Sequence, residues 1–275
     1  MPALTRADES LAPYIALWRL EIDGAAFETN SSVLQPVRMD GRAAMLKLVK
    51  SADEENGPAA LDYFAGDGAV ALLARMGWAS VTARASGGVT LIELVQADDD
   101  AAFAIICDVL SRLHAPRAGP PPRELIPLRD RFAALFKARG QHALFEQAAQ
   151  IAEPLLAAPR DEGVLHGDMH HENVIWDAGA GWLAIDPKGV FGERTYDYAN
   201  SLLNPFSLPA LARQPGRLMR QAEIVSLRTG VPRRRVLAFA AAHAGLSTAW
   251  SIGDGHGDDL TMLELALAAL AKAPA

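Results

Sequence analysis

Two short polar stretches hold the residue types that group transfer needs. HGDMHHENV, residues 166–174, sets Asp168 and Asn173 in the pattern H-G-D-x-x-x-x-N, and IDPKG puts Asp186 directly after an apolar run. Phosphoryl transfer requires a carboxylate that orients or deprotonates the attacking hydroxyl, and oxygen ligands for a Mg²⁺ that bridges nucleotide phosphates. Asp168 fits the first role, Asn173 and Asp186 the second. Taken singly, Asp168 reads as a solvated turn residue and Asn173 as a cap or Asx turn. What argues against accident is the segment between them. Val174 to Trp176 and Trp182 to Ile185 read as strands joined by a loop over Asp177 to Gly181, a hairpin that holds its entry and exit side by side. His166, His170 and His171 raise a zinc or phosphohydrolase alternative. Gly167 and the polar run disfavour a helix there and no H-E-x-x-H is present, so that alternative ranks well below a kinase site.

Other elements must bring partners to this hairpin. Ala43 to Val49 reads as a strand with one lysine, Lys47, inside an apolar run; a buried ammonium is costly unless paired, so an anion is needed nearby. The next segment, Asp53-Glu54-Glu55, opens a helix expected to continue to Gly66, with acids favourable in its first turn. Glu55 or Glu54 is the partner for Lys47, and sequence does not choose between them.

At HGDMHHENV, GWLAIDPKG and GERTYDYAN the chain resembles the aminoglycoside phosphotransferases, which share the protein-kinase fold, and within them the streptomycin 6-phosphotransferase and hydroxyurea kinase branch. SSVLQPVRMDGRAAMLKL and RLHAPR extend the resemblance over most of the chain. It implies a two-lobed α+β fold, a small β-rich lobe over residues 1–96 and a mainly helical lobe over 97–275, with ATP between them. Lys47 would contact the α and β phosphates and pair with a helix glutamate. Asn30, Ser31 and Ser32, in a strand-loop-strand unit lacking G-x-G-x-x-G, would lie near the phosphates. A strand over Val89 to Val95 would lead into a hinge near Leu94, where the backbone at Glu93 and Val95 reads the adenine edge. Asp197 would brace the catalytic loop from behind, with His166 as further structural support. Lys188 reads either as a cation for the developing phosphoryl charge or as a surface lysine. The implied activity is O-phosphorylation of a streptomycin-like aminoglycoside; its rivals are a kinase of hydroxyurea or another small hydroxyl compound, and a non-catalytic nucleotide-binding module.

Composition agrees. A net charge of −7 suits a cationic small molecule better than nucleic acid. The late segment around Trp250, Asp254, Asp258 and Asp259 offers stacking and paired hydrogen bonds to guanidinium or ammonium groups of an acceptor, against a plainer reading as an acidic loop before the last helix. The single cysteine, Cys107, excludes an intramolecular disulfide and reads as a buried inert thiol. The N-terminus shows no secretory pattern, which points to the cytoplasm. Val236 to Trp250 reads as a core helix, short of the roughly 20 residues that span a bilayer. Asp98 to Asp100 reads as a helix cap, and Arg233 to Arg235 as a solvated basic run flanking a helix. No protein partner is indicated.

Overall fold

The computed structural model describes residues 10–255, 257 and 259–274. The described residues begin with α1 (Ala12–Leu17) and an antiparallel sheet of β1 (Glu21–Ile22), β2 (Phe27–Glu28), β3 (Ser32–Met39), β4 (Arg42–Val49), β5 (Leu72–Met76) and β6 (Ala79–Ala83). The strand order is β1-β3-β4-β6-β5, with β2 also paired to β3; α2 (Gly57–Phe64) is inserted between β4 and β5. Side chains alternate across a strand. In β4 this sends Ala44, Leu46 and Leu48 into a small core with Val37, Val81 and Tyr14 of α1. Met45, Lys47 and Val49 consequently face the other way, into a cleft.

The strand expected over Val89 to Val95 is instead a helix, α3 (Leu91–Ala97). The reason is local: Thr90 Oγ1 accepts the Glu93 N–H at 3.2 Å, while the Glu93 carboxylate accepts the Thr90 N–H at 2.9 Å. This capping box in T-L-I-E starts a helix and outweighs the β propensity of the run. The strand before the crossing is β6, whose small side chains gave no comparable sequence signal. The helix expected from Asp53 likewise starts later. A tight turn over Ala52–Glu54 precedes α2, and Pro58 sits in its first turn, where a missing N–H costs little.

The remainder is mainly helical, with α4 (Asp99–Leu113), β7 (Ile126–Pro127), α5 (Leu128–Arg131), α6 (Ala133–Lys137), α7 (Ala143–Ala157), β8 (Glu162–Leu165), β9 (Val174–Asp177), β10 (Gly181–Ala184), β11 (Val190–Glu193), α8 (Thr195–Leu202), α9 (Pro209–Ala212), α10 (Arg217–Thr229), α11 (Arg233–Gly253) and α12 (Thr261–Lys272). The expected hairpin is β9–β10, paired from Val174↔Ala184 to Asp177↔Gly181. At its loop, Asp177 accepts the N–H groups of Gly179 and Ala180. β11 pairs antiparallel with β8 and parallel with β7.

At 21 residues, α11 is longer than the apolar segment suggested, and by length and composition it is able to cross a membrane. Here it packs against α6, α7, α8, α10 and α12, with Phe239 and Ala240 to Ala242 buried. Burying apolar surface on most sides makes it the axis of the helical core. That core also takes Ala59, Ala60, Leu61 and Phe64 of α2, and Leu91 and Val95 of α3. The chain thus passes from sheet to helices over 84–90, ahead of the boundary expected at 96.

Two charged runs are more engaged than expected. Asp98 caps α4, but Asp99 receives two hydrogen bonds of 2.9 Å from the buried Arg217. Arg235 pairs with the buried Glu193, Arg234 donates to the Leu270 and Ala273 carbonyls, and Arg233 bonds Glu223. Cys107 is buried, and burial pushes its thiol up to about 12, which keeps it unreactive.

Removing the cap tests the assignment of α3. Thr90→Ala should destabilise the protein by about 1 kcal/mol in urea unfolding; a strand at this position would leave stability unchanged or improve it.

Candidate active site

A cleft of about 450 Å³ opens between the sheet and the β9–β10 hairpin. Leu34, Met45, Val49, Val70, Ile175 and Ile185 give it apolar walls, and Lys47, Asn173 and Asp186 supply polar groups at one end. A few convergent polar groups in an apolar slot are what a bound nucleotide requires. The segment Ala83-Arg84-Ala85, where the chain leaves β6, edges the cleft. Glu93 and Val95, expected there, do not line it: Glu93 is exposed in the cap of α3, and Val95 is 2% exposed in the helical core.

The loop between β2 and β3 also differs from expectation. Thr29 lines the cleft, whereas Ser32 is buried and donates to the Glu54 carboxylate at 2.9 Å. Ser31 contributes its carbonyl to the Lys50 N–H, and Asn30 is exposed.

Lys47 meets Glu54, not Glu55. Its Nζ is 2.6 Å from Glu54 Oε2 and also contacts the Asp186 carboxylate, while Glu55 is exposed. Glu54 is only 4% exposed and reaches a second cation, Lys188 Nζ, at 2.7 Å. Burial opposes its ionisation, yet the charges of Lys47 and Lys188 prevail and hold it far below the usual carboxylate range. Lys188 completes the cluster, 3.5 Å from Asp186 Oδ2 and 3.8 Å from Asp168 Oδ2. Burial works against its charge, but Asp186, Asp168 and Glu54 together raise its pKa.

The backbone locks this arrangement. A Cβ at Gly57 would lie 2.2 Å from the Pro187 carbonyl oxygen, and one at Gly189 would lie 2.2 Å from that of Asn56. Only glycine permits so close an approach. The turn carrying Glu54 and the turn carrying Asp186 and Lys188 are therefore pressed together. Asp186 itself has φ +61°, a left-handed conformation that aspartate tolerates better than most residues.

Asp168 lies on the loop after β8. Its Oδ1 accepts from Asn200 at 3.2 Å, and its carbonyl accepts from Asn173 Nδ2 at 2.9 Å. Burial favours the neutral acid, but His170, Lys188 and Arg131 hold it below its ordinary value as a carboxylate. Asp197, fully buried on α8, accepts the N–H groups of His166 (2.9 Å) and Gly167 (2.8 Å) and meets His114 Nε2 at 2.9 Å. His166 donates from Nε2 to the Ile185 carbonyl and accepts the Asp168 N–H at Nδ1, fastening the loop to the strand end before Asp186. The same face of α8 contributes Ser201, which donates to the Met169 carbonyl. Asn200 and Ser201 stand three and four residues after Asp197, a helical spacing that would have marked them.

The three histidines diverge: His166 is engaged as above, His170 bonds Glu172 at 2.9 Å, and His171 is buried and pushed down to about 4 by burial and Arg217. Asn173 and Asp186, in contrast, both line the cleft, and each side chain carries oxygen that could ligate a metal. Two protein oxygens completed by phosphates and water suit Mg²⁺. On the expected acceptor side, Trp250 carries the Arg131 guanidinium 4.8 Å from its ring centre, and Asp259 pairs with Arg213 beside a groove of about 200 Å³. Asp254 is exposed at the end of α11, and Asp258 lies outside the described residues.

The fold and this cluster define a two-lobed small-molecule kinase. Residues 17–255 match the family model described as aminoglycoside/hydroxyurea antibiotic resistance kinase, and the chain belongs to that family. It is 46% identical to a streptomycin 3''-kinase of Klebsiella pneumoniae, covering 93% of this chain and 97% of that one. Identity to a streptomycin 6-kinase of Streptomyces griseus is 30%, over 86% of this chain and 80% of the relative. Among solved structures, aminoglycoside phosphotransferase APH(4)-Ia superposes with a TM-score of 0.67 at 18% identity, covering 98% of this chain and 99% of that one.

The ionised Glu54 gives stability a defined pH dependence. The unfolded chain protonates this group near 4.5, whereas the folded protein keeps it charged well below that. Its contribution is therefore complete above pH 4.5 and is lost as the pH falls, by roughly 1.4 kcal/mol per pH unit while it is the group taking up the proton. Urea unfolding of Glu54→Gln from pH 6 to about 3 should show a shallower acid decline than the parent; equal slopes would mean that Glu54 titrates normally.

Proposed function

We propose that the protein transfers the γ-phosphoryl group of ATP to the 3''-hydroxyl of streptomycin and so inactivates the antibiotic. The observation that carries the reading is that Lys47, Asn173 and Asp186 line one cleft, with Asp168 beside it, joined to them through Lys188 and the Asn173 amide. The choice of acceptor draws on the 46% identity to the 3''-kinase. The acceptor oxygen attacks the γ-phosphorus, the bond from that phosphorus to the bridging oxygen breaks, and its electron pair leaves with ADP. The hydroxyl proton passes to the Asp168 carboxylate, which is ionised to receive it, and then to water. Asn200 and the Asn173 amide fix the orientation of Asp168. Asn173 and Asp186 would hold Mg²⁺, which would neutralise the charge of the nucleotide phosphates. Lys47 positions the nucleotide, and Ala83 to Ala85 meet the adenine edge. Use of ATP as donor supports a reaction in the cytoplasm.

ADP release should be stimulated by streptomycin and yield an acid-stable phosphorylated product with the phosphate on the 3''-oxygen. Asp168→Ala should lower kcat by about 10²–10⁴-fold with nucleotide binding retained. Turnover with hydroxyurea but not streptomycin, or phosphate at another position, would overturn the acceptor assignment. Full activity in Asp168→Ala would overturn the role of that residue.

A further inference from the structure

Lys188 stands two residues after Asp186, and its backbone is held on both sides. Its N–H donates to the His166 carbonyl at 2.7 Å, and the following Gly189 is pressed against Asn56. The side chain is 12% exposed, so its ammonium is committed to the site and not to solvent. An ammonium has three N–H donors. One is spent on Glu54 Oε1 at 2.7 Å. The carboxylates of Asp186 and Asp168 stand further off, at 3.5 and 3.8 Å, near enough to attract the charge but too far for a short hydrogen bond.

The position of those two carboxylates gives the spacing its meaning. The acceptor oxygen must approach at Asp168, the nucleotide phosphates lie towards Asp186, and the phosphoryl group passes between them. Among the described residues, Lys188 is the ammonium within 4 Å of both, whereas Lys47 pairs with Asp186 and Glu54 on the nucleotide side. Two acids facing a phosphoryl group in transit would repel it without a cation between them. A donor fixed beforehand where charge develops stabilises the transition state without reorganising at the moment of reaction.

We propose that Lys188 is a catalytic residue of the phosphoryl transfer. Tethered by Glu54, it directs its remaining N–H donors at the oxygens of the phosphoryl group between Asp168 and Asp186. It stays protonated throughout, giving up no proton, while the hydroxyl proton goes to Asp168 and the electron pair of the broken bond leaves with ADP. One glutamate thereby sets two lysines with separate duties: Lys47 serves the bound nucleotide and Lys188 the group in transit. The assignment rests on the kinase reading above and does not depend on which acceptor is used.

The test compares the parent with Lys188→Met and Lys188→Arg. Readouts are kcat, KM for ATP, calorimetric affinity for a non-hydrolysable ATP analogue, affinity for ADP with aluminium fluoride as a mimic of the transferring group, and thermal unfolding. Lys188→Met should lose about 10²–10³-fold in kcat. It should bind the ATP analogue within about threefold of the parent and lose the extra affinity for the aluminium fluoride complex, as expected of a contact made mainly in the transition state. Lys188→Arg, which keeps the charge, should recover at least tenfold of the lost rate. The proposal is overturned if kcat stays within about fivefold of the parent, if analogue affinity falls as far as kcat, or if Lys188→Arg is no better than Lys188→Met while both remain folded. If both variants unfold, Lys188 is a structural counter-ion and the proposal fails as well. Should the parent ignore streptomycin, the acceptor reading fails by itself, and the same comparison is made on ATP hydrolysis with water as acceptor.

Discussion

A buried carboxylate between two ammonium groups is the constraint on which this molecule depends. Glu54 is almost wholly out of solvent, so its charge is tolerable only because Lys47, Lys188 and the Ser32 hydroxyl surround it. Lys47 comes from the sheet and Lys188 from the turn after the β9–β10 hairpin. One anion thus joins the nucleotide-facing sheet to the turn that bears Asp186. The glycine contacts at Gly57 and Gly189 make the same junction in backbone, and α2 buries its apolar face in the helical core. Both facts argue for a site that is assembled before nucleotide arrives, with little of its binding energy spent on closure.

A second buried carboxylate, Asp197, does for the catalytic loop what Glu54 does for the lysines. By accepting the N–H groups of His166 and Gly167 it fixes the loop backbone, and Asn200 from the same helix turns Asp168. His166 then ties that loop to Ile185, beside Asp186. Asp168, the proposed base, and Asp186, the carboxylate proposed to hold metal, are therefore set by one frame of α8, the loop and the hairpin. Reacting groups need such support, since small displacements cost large factors in rate.

Much of this was legible in the sequence because the informative residues are close together along the chain. Asp168, Asn173 and Asp186 fall within one loop-and-hairpin unit, and the structure brings them together as its strands pair. The strand lysine was legible because a lone ammonium in an apolar run demands an anion. What escaped depended on local breaks and distant partners. Glu54 prevails over Glu55 because the chain turns at Asn56 and Gly57, leaving Glu55 outside. The crossing segment was misplaced because Thr90 and Glu93 form a capping box inside a run rich in β-favouring residues. Trp250 and Asp259 looked available to a cationic acceptor, yet Arg131 and Arg213, remote in sequence, already meet them. Lys188 was ambiguous until burial decided that it is no surface residue.

The central claim is that Glu54 and Lys188 act as one unit, and a double-mutant cycle measures that directly. Urea unfolding of the parent, Glu54→Gln, Lys188→Met and the double variant at neutral pH gives the coupling between them. A buried, hydrogen-bonded pair predicts an interaction of about 1–3 kcal/mol. Additive effects, within about 0.5 kcal/mol, would mean that the two side chains do not depend on each other, and the account of a shared anion organising the site would be wrong.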